Sequence, residues 1–313
     1  MTVIGSSDLD VFPLGLGGNT FGWTSDKETS FAVLDAYVAG GGNFIDTADS
    51  YSAWVPGNVG GESETIIGQW TAARGNRDSI VIATKVDRHP QFRGLSADNV
   101  LAAADASLAR LRTDYIDLYY VHYDEPDVPV AEAGAAFHSL REAGKIRYLG
   151  LSNITASRLR EWFSVSAAEG WAPPVALQPH YNLVERAAYE TSLAPVVAEF
   201  GLGVLPYYAL ASGFLAGKYR TASDHAGAAR QAGASRYLTT PTGPAVLAAL
   251  DSISADRGVG PATVALAWLR TRPNVVAPLA SARTVDQLPA LLDSARLDLA
   301  VDEIEALDKA SAA

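Results

Sequence analysis

Four side chains in this sequence have the types and the spacing for proton chemistry: Asp46, Tyr51, Lys85 and His122. A tyrosine of ordinary pKa, about 10, is a poor acid near neutrality, but a neighbouring ammonium favours the phenolate and lowers that value. Lys85 is the candidate cation. Asp46 is a carboxylate able to keep it protonated and oriented, and His122 can hydrogen-bond a developing oxyanion. Such a set suits reduction of a carbonyl group, with Tyr51 giving a proton to the oxygen while a hydride reaches the carbon. None of the four can supply that hydride, so the reading requires a nicotinamide cofactor.

Taken singly, each residue has an ordinary explanation. Asp46 to Ser50 reads as a helix cap or an Asx turn, Tyr51 as a loop aromatic, Lys85 as a solvated strand end and His122 as a rim histidine. Their shared placement is harder to explain. Each lies at or just beyond the end of a short run rich in β-formers, namely Asn43 to Asp46, Ile80 to Lys85 and Tyr115 to His122, with helix-like stretches before and between them. That alternation implies parallel strands, and in a barrel built from them the carboxyl ends converge on one mouth. Further strands are expected at Leu14 to Gly17, Ile146 to Leu151, Val175 to Gln178, Gly203 to Tyr207 and Val275 to Leu279, which completes eight. The fold expected is α/β, a (β/α)8 barrel forming a single domain over residues 1–313. Thr2 to Phe12 reads as an N-terminal β-hairpin closing its floor. Ser96 is placed to cap a helix with Val100, Ala104, Leu108 and Leu111 at helical spacing. Ala133, Phe137 and Leu140 make a second stripe before Gly144, and Pro261 opens a third with Val264, Ala267 and Trp268.

In this order, these residues resemble the aldo-keto reductases, in a branch similar to the potassium-channel β-subunits. The likeness runs from Leu14 to Gly18 through Asp46 to Tyr51, Ala83 to Lys85, Asp117 to His122, Gly144 to Asn153, Leu177 to Asn182, and Pro206 and Tyr207 to Gly217 through Tyr219. The resemblance implies the same barrel. It also implies roles: Tyr51 as general acid, Lys85 and Asp46 tuning it, and His122 orienting the carbonyl. Its cofactor would be NADPH. Ser152, Asn153 and Gln178 match residues that hydrogen-bond the nicotinamide carboxamide, which needs both donors and acceptors. Read alone, Ser152 and Asn153 would cap a helix over Thr155 to Phe163. Tyr207 matches a tyrosine that stacks on the nicotinamide, and Gly18, Asn19 and Asp46 join the cofactor set. Ala209, Leu210 and Lys218 match positions around the pyrophosphate, while Ser281, Arg283 and Gln287 match the segment that binds the adenosine 2'-phosphate. A guanidinium suits a phosphate better than a ribose hydroxyl, so Arg283 favours NADPH over NADH. Two positions depart from the family pattern: Leu291 stands where asparagine is common near the adenine, and Tyr208 where serine commonly follows the stacking tyrosine.

Trp23, Trp54 and Tyr123, with Phe21, would give an aromatic mouth suited to an aldehyde or ketone with a hydrophobic portion. The loop Ser52 to Glu62 reads either as a cover for the carbonyl site or as a plain connection. Ala222 to Ser235 is expected to fold over the cofactor, with Arg230 or Arg236 reaching a phosphate.

Whole-chain quantities narrow the alternatives. A chain of 313 residues with 48% hydrophobic content can bury a large core in one barrel domain. A net charge of -11, from 24 basic and 35 acidic residues, argues against nucleic acid and anionic membrane as partners. With no cysteine there is no disulfide or thiolate chemistry, and His89, His122, His138, His180 and His225 lack paired metal spacing, so no metal is expected. No apolar run is long enough to span a bilayer and no leader precedes the first strand, which makes a cytoplasmic protein the expectation. Thr20 stands where a dinucleotide fingerprint needs its third glycine. Gly213 to Lys218 lacks the first glycine and final hydroxyl of a phosphate loop, with Ser212 and Tyr219 there instead. Two other functions stay open: a nicotinamide-binding, redox-sensing regulatory subunit with little turnover, and a barrel hydrolase pairing Asp46 with Asp124 or Glu125.

Overall fold

Side chains alternate across a strand, so each short apolar run must send one set of residues inward and the other outward. The computed structural model describes residues 1–221, 224 and 231–312. In it the runs form β1 (Gly15–Gly17), β2 (Phe44–Asp46), β3 (Val81–Val86), β4 (Ile116–Val121), β5 (Ile146–Ser152), β6 (Ala176–Gln178), β7 (Gly203–Val204) and β8 (Leu279–Ala280). Neighbours pair in parallel from β8 through β1 to β7. The ring closes where the Val204 N–H donates to the Asn274 carbonyl at 2.8 Å and the Val276 N–H donates to the Val204 carbonyl at 2.9 Å. This is a (β/α)8 barrel.

The alternation divides the core into two layers. Phe44, Ala83, Leu118, Tyr120, Ala176 and Leu205 fill the barrel interior. Ile45, Ile82, Tyr119, Val121 and Leu177 face the surrounding helices. Gly150 is required on the inner side, since a Cβ there would meet the Tyr120 ring at 2.3 Å. The hairpin Thr2–Val3 with Asp10–Val11 lies beneath, and Ile4, Leu9 and Val11 are buried in the same interior cluster.

Helices follow the expected stripes. Val100, Ala104 and Leu111 are buried on Ala97–Leu111 and Leu108 is partly buried. Val130–Glu142 buries Ala133, Phe137 and Leu140, and Gly144 follows it in the left-handed region at φ +71°. Pro261–Arg270 begins at its proline. Three expectations are corrected. Ser96 holds its N-cap position without a side-chain bond; the Ala97 N–H donates to Glu132 at 3.4 Å instead. β8 begins at Leu279 because Pro278 has no N–H for a ladder, leaving Val275 as an isolated bridge to Val204. β7 ends at Val204, short of Pro206, for the same reason.

Candidate active site

Following the inward face upward shows why polar groups collect at one end. β2 sends Phe44 and then Asp46 inward, β3 sends Ala83 and then Lys85, and β4 sends Leu118, Tyr120 and, one step beyond its end, His122. Apolar layers fill the lower barrel and a polar layer caps them. Lys85 is fully buried, and its ammonium donates to Asp46 Oδ2 at 2.7 Å, the Thr47 carbonyl at 2.6 Å and Tyr51 Oη at 3.1 Å. Three protons therefore meet three acceptors. The other oxygen of Asp46 accepts from Gln178 Nε2 at 2.8 Å, which ties β6 into the network.

Tyr51 comes from the loop after β2, and that loop is pinned. Ser52, at φ +72°, donates its hydroxyl to the Phe21 carbonyl at 2.8 Å. Asn58 donates to the carbonyls of Ser52 at 3.0 Å and Gly22 at 2.9 Å. The loop thus anchors Tyr51 against the segment after β1. Trp54 stands half exposed at the rim, edge-on to Trp23 at 5.5 Å and near the Tyr51 ring at 6.2 Å.

Burial acts against the charge on Lys85, but the Asp46 carboxylate, followed by Tyr51, outweighs it and raises the lysine above its usual range. For Tyr51 the balance departs from the sequence expectation. Burial is the largest influence and exceeds the opposing pull of Lys85, so the phenol is raised above its ordinary value. It stays protonated at neutral pH. His122 is held well below the usual histidine range by burial first, then by Lys85 and Arg88, and is neutral at physiological pH. Its Nδ1 is buried without a partner; an unpaired acceptor costs less than an unpaired N–H, which assigns the proton to Nε2.

Two adjoining cavities open here, sharing Asn19, Trp23, Tyr208, Ser212, Leu279 and Ser281. The larger, about 730 Å³, is bordered by Asp46, Tyr51 and His122, by the aromatic rings of Trp54, Tyr123 and Tyr207, and by Ser152, Asn153 and Gln178. Ser152 and Asn153 do not cap a helix. Thr155 caps Ala156–Glu169, while Ser152 donates to the Gln178 carbonyl at 2.8 Å and Asn153 to the His122 carbonyl at 2.8 Å. Asn153 also accepts from Tyr207 Oη at 2.7 Å, and the Tyr207 ring lies parallel to His180 at 5.4 Å. The narrower cavity, about 360 Å³, brings Ala209, Leu210, Lys218, Arg283, Gln287 and Leu291 together. Its wall carries unusual backbone: Tyr208 and Ser212 have φ of +50° and +60°, beside Gly213 at +95°, and Ala211 behind them has +48°. Non-glycine residues in that region are costly and concentrate where a binding surface must be shaped.

Not every expected residue faces the cleft. Gly18 lies behind the wall, where a Cβ would meet Ser63 Oγ at 2.7 Å, and its neighbour Gly17 is on the lining instead. Phe21 is fully buried in the core, not at the mouth. Arg236 pairs with Glu185 at 3.1 Å. Arg230 and His225, with most of Ala222 to Ser235, fall outside the described residues. Asp124 is paired with Arg158 at 3.0 Å and Glu125 accepts from the Leu95 N–H, so neither supplies the second acid a hydrolase needs opposite Asp46. Arg88, absent from the sequence expectation, borders the larger cavity. Among the described residues no helix is long and apolar enough to cross a membrane, and no three His, Asp or Glu side chains gather as a metal site requires.

Comparison with known proteins gives a consistent picture. The profile of the Aldo/keto reductase family matches residues 13–312. The chain is 35% identical to "Protein tas" of Escherichia coli, over 96% of this chain and 95% of that one. It is 32% identical to norsolorinic acid reductase B of Aspergillus parasiticus, covering 97% and 82% of the two chains. With the aryl-alcohol dehydrogenase [NADP(+)] of Phanerodontia chrysosporium it shares 30% identity over 96% and 82%.

Proposed function

The chain belongs to the aldo/keto reductase family of oxidoreductases, and from that premise we propose that it reduces an aldehyde or ketone to an alcohol with NADPH, Tyr51 giving the proton. The observation that carries this reading is the saturated Lys85 ammonium lying 3.1 Å from a Tyr51 hydroxyl kept protonated by burial. When bound, the nicotinamide supplies the hydride. Tyr51 delivers its Oη proton to the carbonyl oxygen, and Lys85 stabilises the phenolate left behind. Asp46, fixed by Gln178, keeps Lys85 charged and aimed. Neutral His122 donates an N–H to the same oxygen without adding positive charge that would compete with Lys85.

The chemistry of the donor set supports the cofactor. Ser152, Asn153, Gln178 and Tyr207 border the cavity beside Tyr51, so an amide there would meet both donors and acceptors and an aromatic face. The narrower cavity leads from there to Lys218 and Arg283, two cations suited to phosphates. Arg283 supports NADPH over NADH, as does the NADP(+) in the name of one relative.

The test is consumption of NADPH and of NADH by the purified protein with aromatic and aliphatic aldehydes and ketones. Many turnovers per enzyme with NADPH are expected. Oxidation of one cofactor equivalent without further turnover would replace the enzyme by the redox-sensing subunit.

A further inference from the structure

We propose that Arg88 makes the substrate cavity selective for aromatic carbonyl compounds bearing a carboxylate, with the aromatic rim taking the ring and Arg88 taking the charge. The inference rests on the carbonyl-reductase reading and names the substrate class of that same site.

Arg88 lies two residues past the end of β3, at the start of a two-stranded hairpin, Arg88–His89 with Phe92–Arg93. The residue before it, Asp87, has φ +113°, a conformation that an aspartate adopts only when its surroundings impose it. Those surroundings are specific. Asp87 Oδ1 accepts from the Gly94 N–H at 3.0 Å across the hairpin, and Oδ2 pairs with Arg88 Nε at 3.1 Å. Asp87 thereby turns the chain and holds the arginine by its inner edge.

The guanidinium lies over the Tyr123 ring at 4.0 Å, and Tyr123 packs on the His122 ring at 5.1 Å. Arg88, Tyr123 and His122 form a run of planar groups leading from the rim to the carbonyl site. Among the described residues neither terminal nitrogen of Arg88 has a hydrogen-bond acceptor. That outer edge is a fork matching the two oxygens of a carboxylate, whereas a lysine would offer a point charge. Among the described residues the lining holds one other acidic or basic side chain of the Asp, Glu, Lys and Arg kind, Asp46, and both its oxygens are committed to Lys85 and Gln178. Among these described groups the charge left to meet a substrate is that of Arg88. Broad aromatic surfaces also border the cavity: Trp54 and Tyr208 are each about half exposed, at 51% and 53%. A flat ring with an anionic group remote from its carbonyl satisfies the rim, the fork and Tyr51 together.

The experiment compares 4-carboxybenzaldehyde with 4-carbamoylbenzaldehyde, which has the same shape and no charge, as NADPH-dependent substrates of wild type, Arg88→Met and Arg88→Lys. A charged hydrogen-bonded pair sets the scale at about 10- to 100-fold in kcat/KM favouring the carboxylate in wild type, expressed mainly in KM. The ratio should fall to near one in Arg88→Met and to an intermediate value in Arg88→Lys. A wild-type ratio at or below one, or a ratio unchanged in Arg88→Met, overturns the proposal. If neither aldehyde turns over, the wider panel of aldehydes and ketones decides the reductase reading, and quenching of tryptophan fluorescence by 4-(hydroxymethyl)benzoate against its amide decides the anion site. Tighter binding of the acid that is lost in Arg88→Met upholds the site; equal binding overturns it.

Discussion

At the floor of the barrel, Asp117 accepts from the Ile82 N–H at 2.9 Å, Arg77 at 2.8 Å and Arg147 at 2.7 Å, and Arg147 reaches on to Asp8 of the closing hairpin at 2.7 Å. At the mouth, Asp46 accepts from Lys85 and Gln178, and Lys85 reaches on to Tyr51. Both carboxylates are 2% exposed, and both hold their neighbours in place. The difference lies in where each network ends. The floor network ends on the hairpin that seals it, so its energy is spent on keeping the structure shut. The mouth network ends on a phenol facing a cavity of about 730 Å³, so its orientation remains available to a substrate. Burial and hydrogen bonding are thus alike for the two carboxylates; what differs is the open end of the Asp46 network, on which its proposed role in chemistry rests.

Substitutions at the two ends should separate these roles. Lys85→Met should lower reductase kcat by about 10²- to 10⁴-fold. It should also destabilise the fold by about 3–5 kcal/mol, because the Asp46 carboxylate is left buried and unpaired. Lys85→Met with Asp46→Asn should recover most of the stability and none of the activity, and recovery of both would erase the distinction. At the floor, Asp117→Ala should cost about 3 kcal/mol in denaturant unfolding, since Arg77 is left largely buried without its carboxylate, while kcat stays at the wild-type value. A large kcat defect there would break the comparison.

The pH profile sharpens it further. The proposed mechanism needs the acid form of Tyr51, and burial places its pKa above the usual value, so kcat should be flat through neutrality and fall only as pH rises beyond about 10. His122, held well below its ordinary range, should contribute no acidic limb between about pH 6 and 7. An inflection there would mean that the imidazole titrates.

The smallest effect concerns Asp49, fully buried just behind the mouth with neither carboxyl oxygen bonded. Burial raises it well above the carboxylate range, helped by Glu64 and Asp87 and opposed by Arg110, and the unpaired Tyr119 hydroxyl lies in the same surroundings. The folded protein then holds a proton that the unfolded chain releases above about pH 4, so stability falls as pH rises beyond that point. Asp49→Asn should flatten that slope and raise Tm modestly at pH 8; an unchanged slope would show that Asp49 is ionised in the fold.

The barrel was legible because its signal is repeated. Asp46, Lys85 and Gln178 each follow an apolar run by the two-residue step that sends them inward, and their convergence needs no tertiary knowledge beyond parallel pairing. The exact length of β8 was less legible, although Pro278 explains it once the pairing is known. The balance at Tyr51 could not be read, since a neighbouring ammonium is visible in sequence and the depth of burial that opposes it is not. Arg88 left no signal at all: its position depends on a positive φ at an aspartate and on stacking against Tyr123, a residue on another strand end.

The most direct test of the account is Tyr51→Phe, measured for NADPH binding by fluorescence titration and for carbonyl reduction in a single turnover. The account predicts NADPH affinity within about twofold of wild type and a reduction rate about 10²- to 10⁴-fold lower. Wild-type reduction by a variant that binds NADPH normally would show that Tyr51 is not the proton donor.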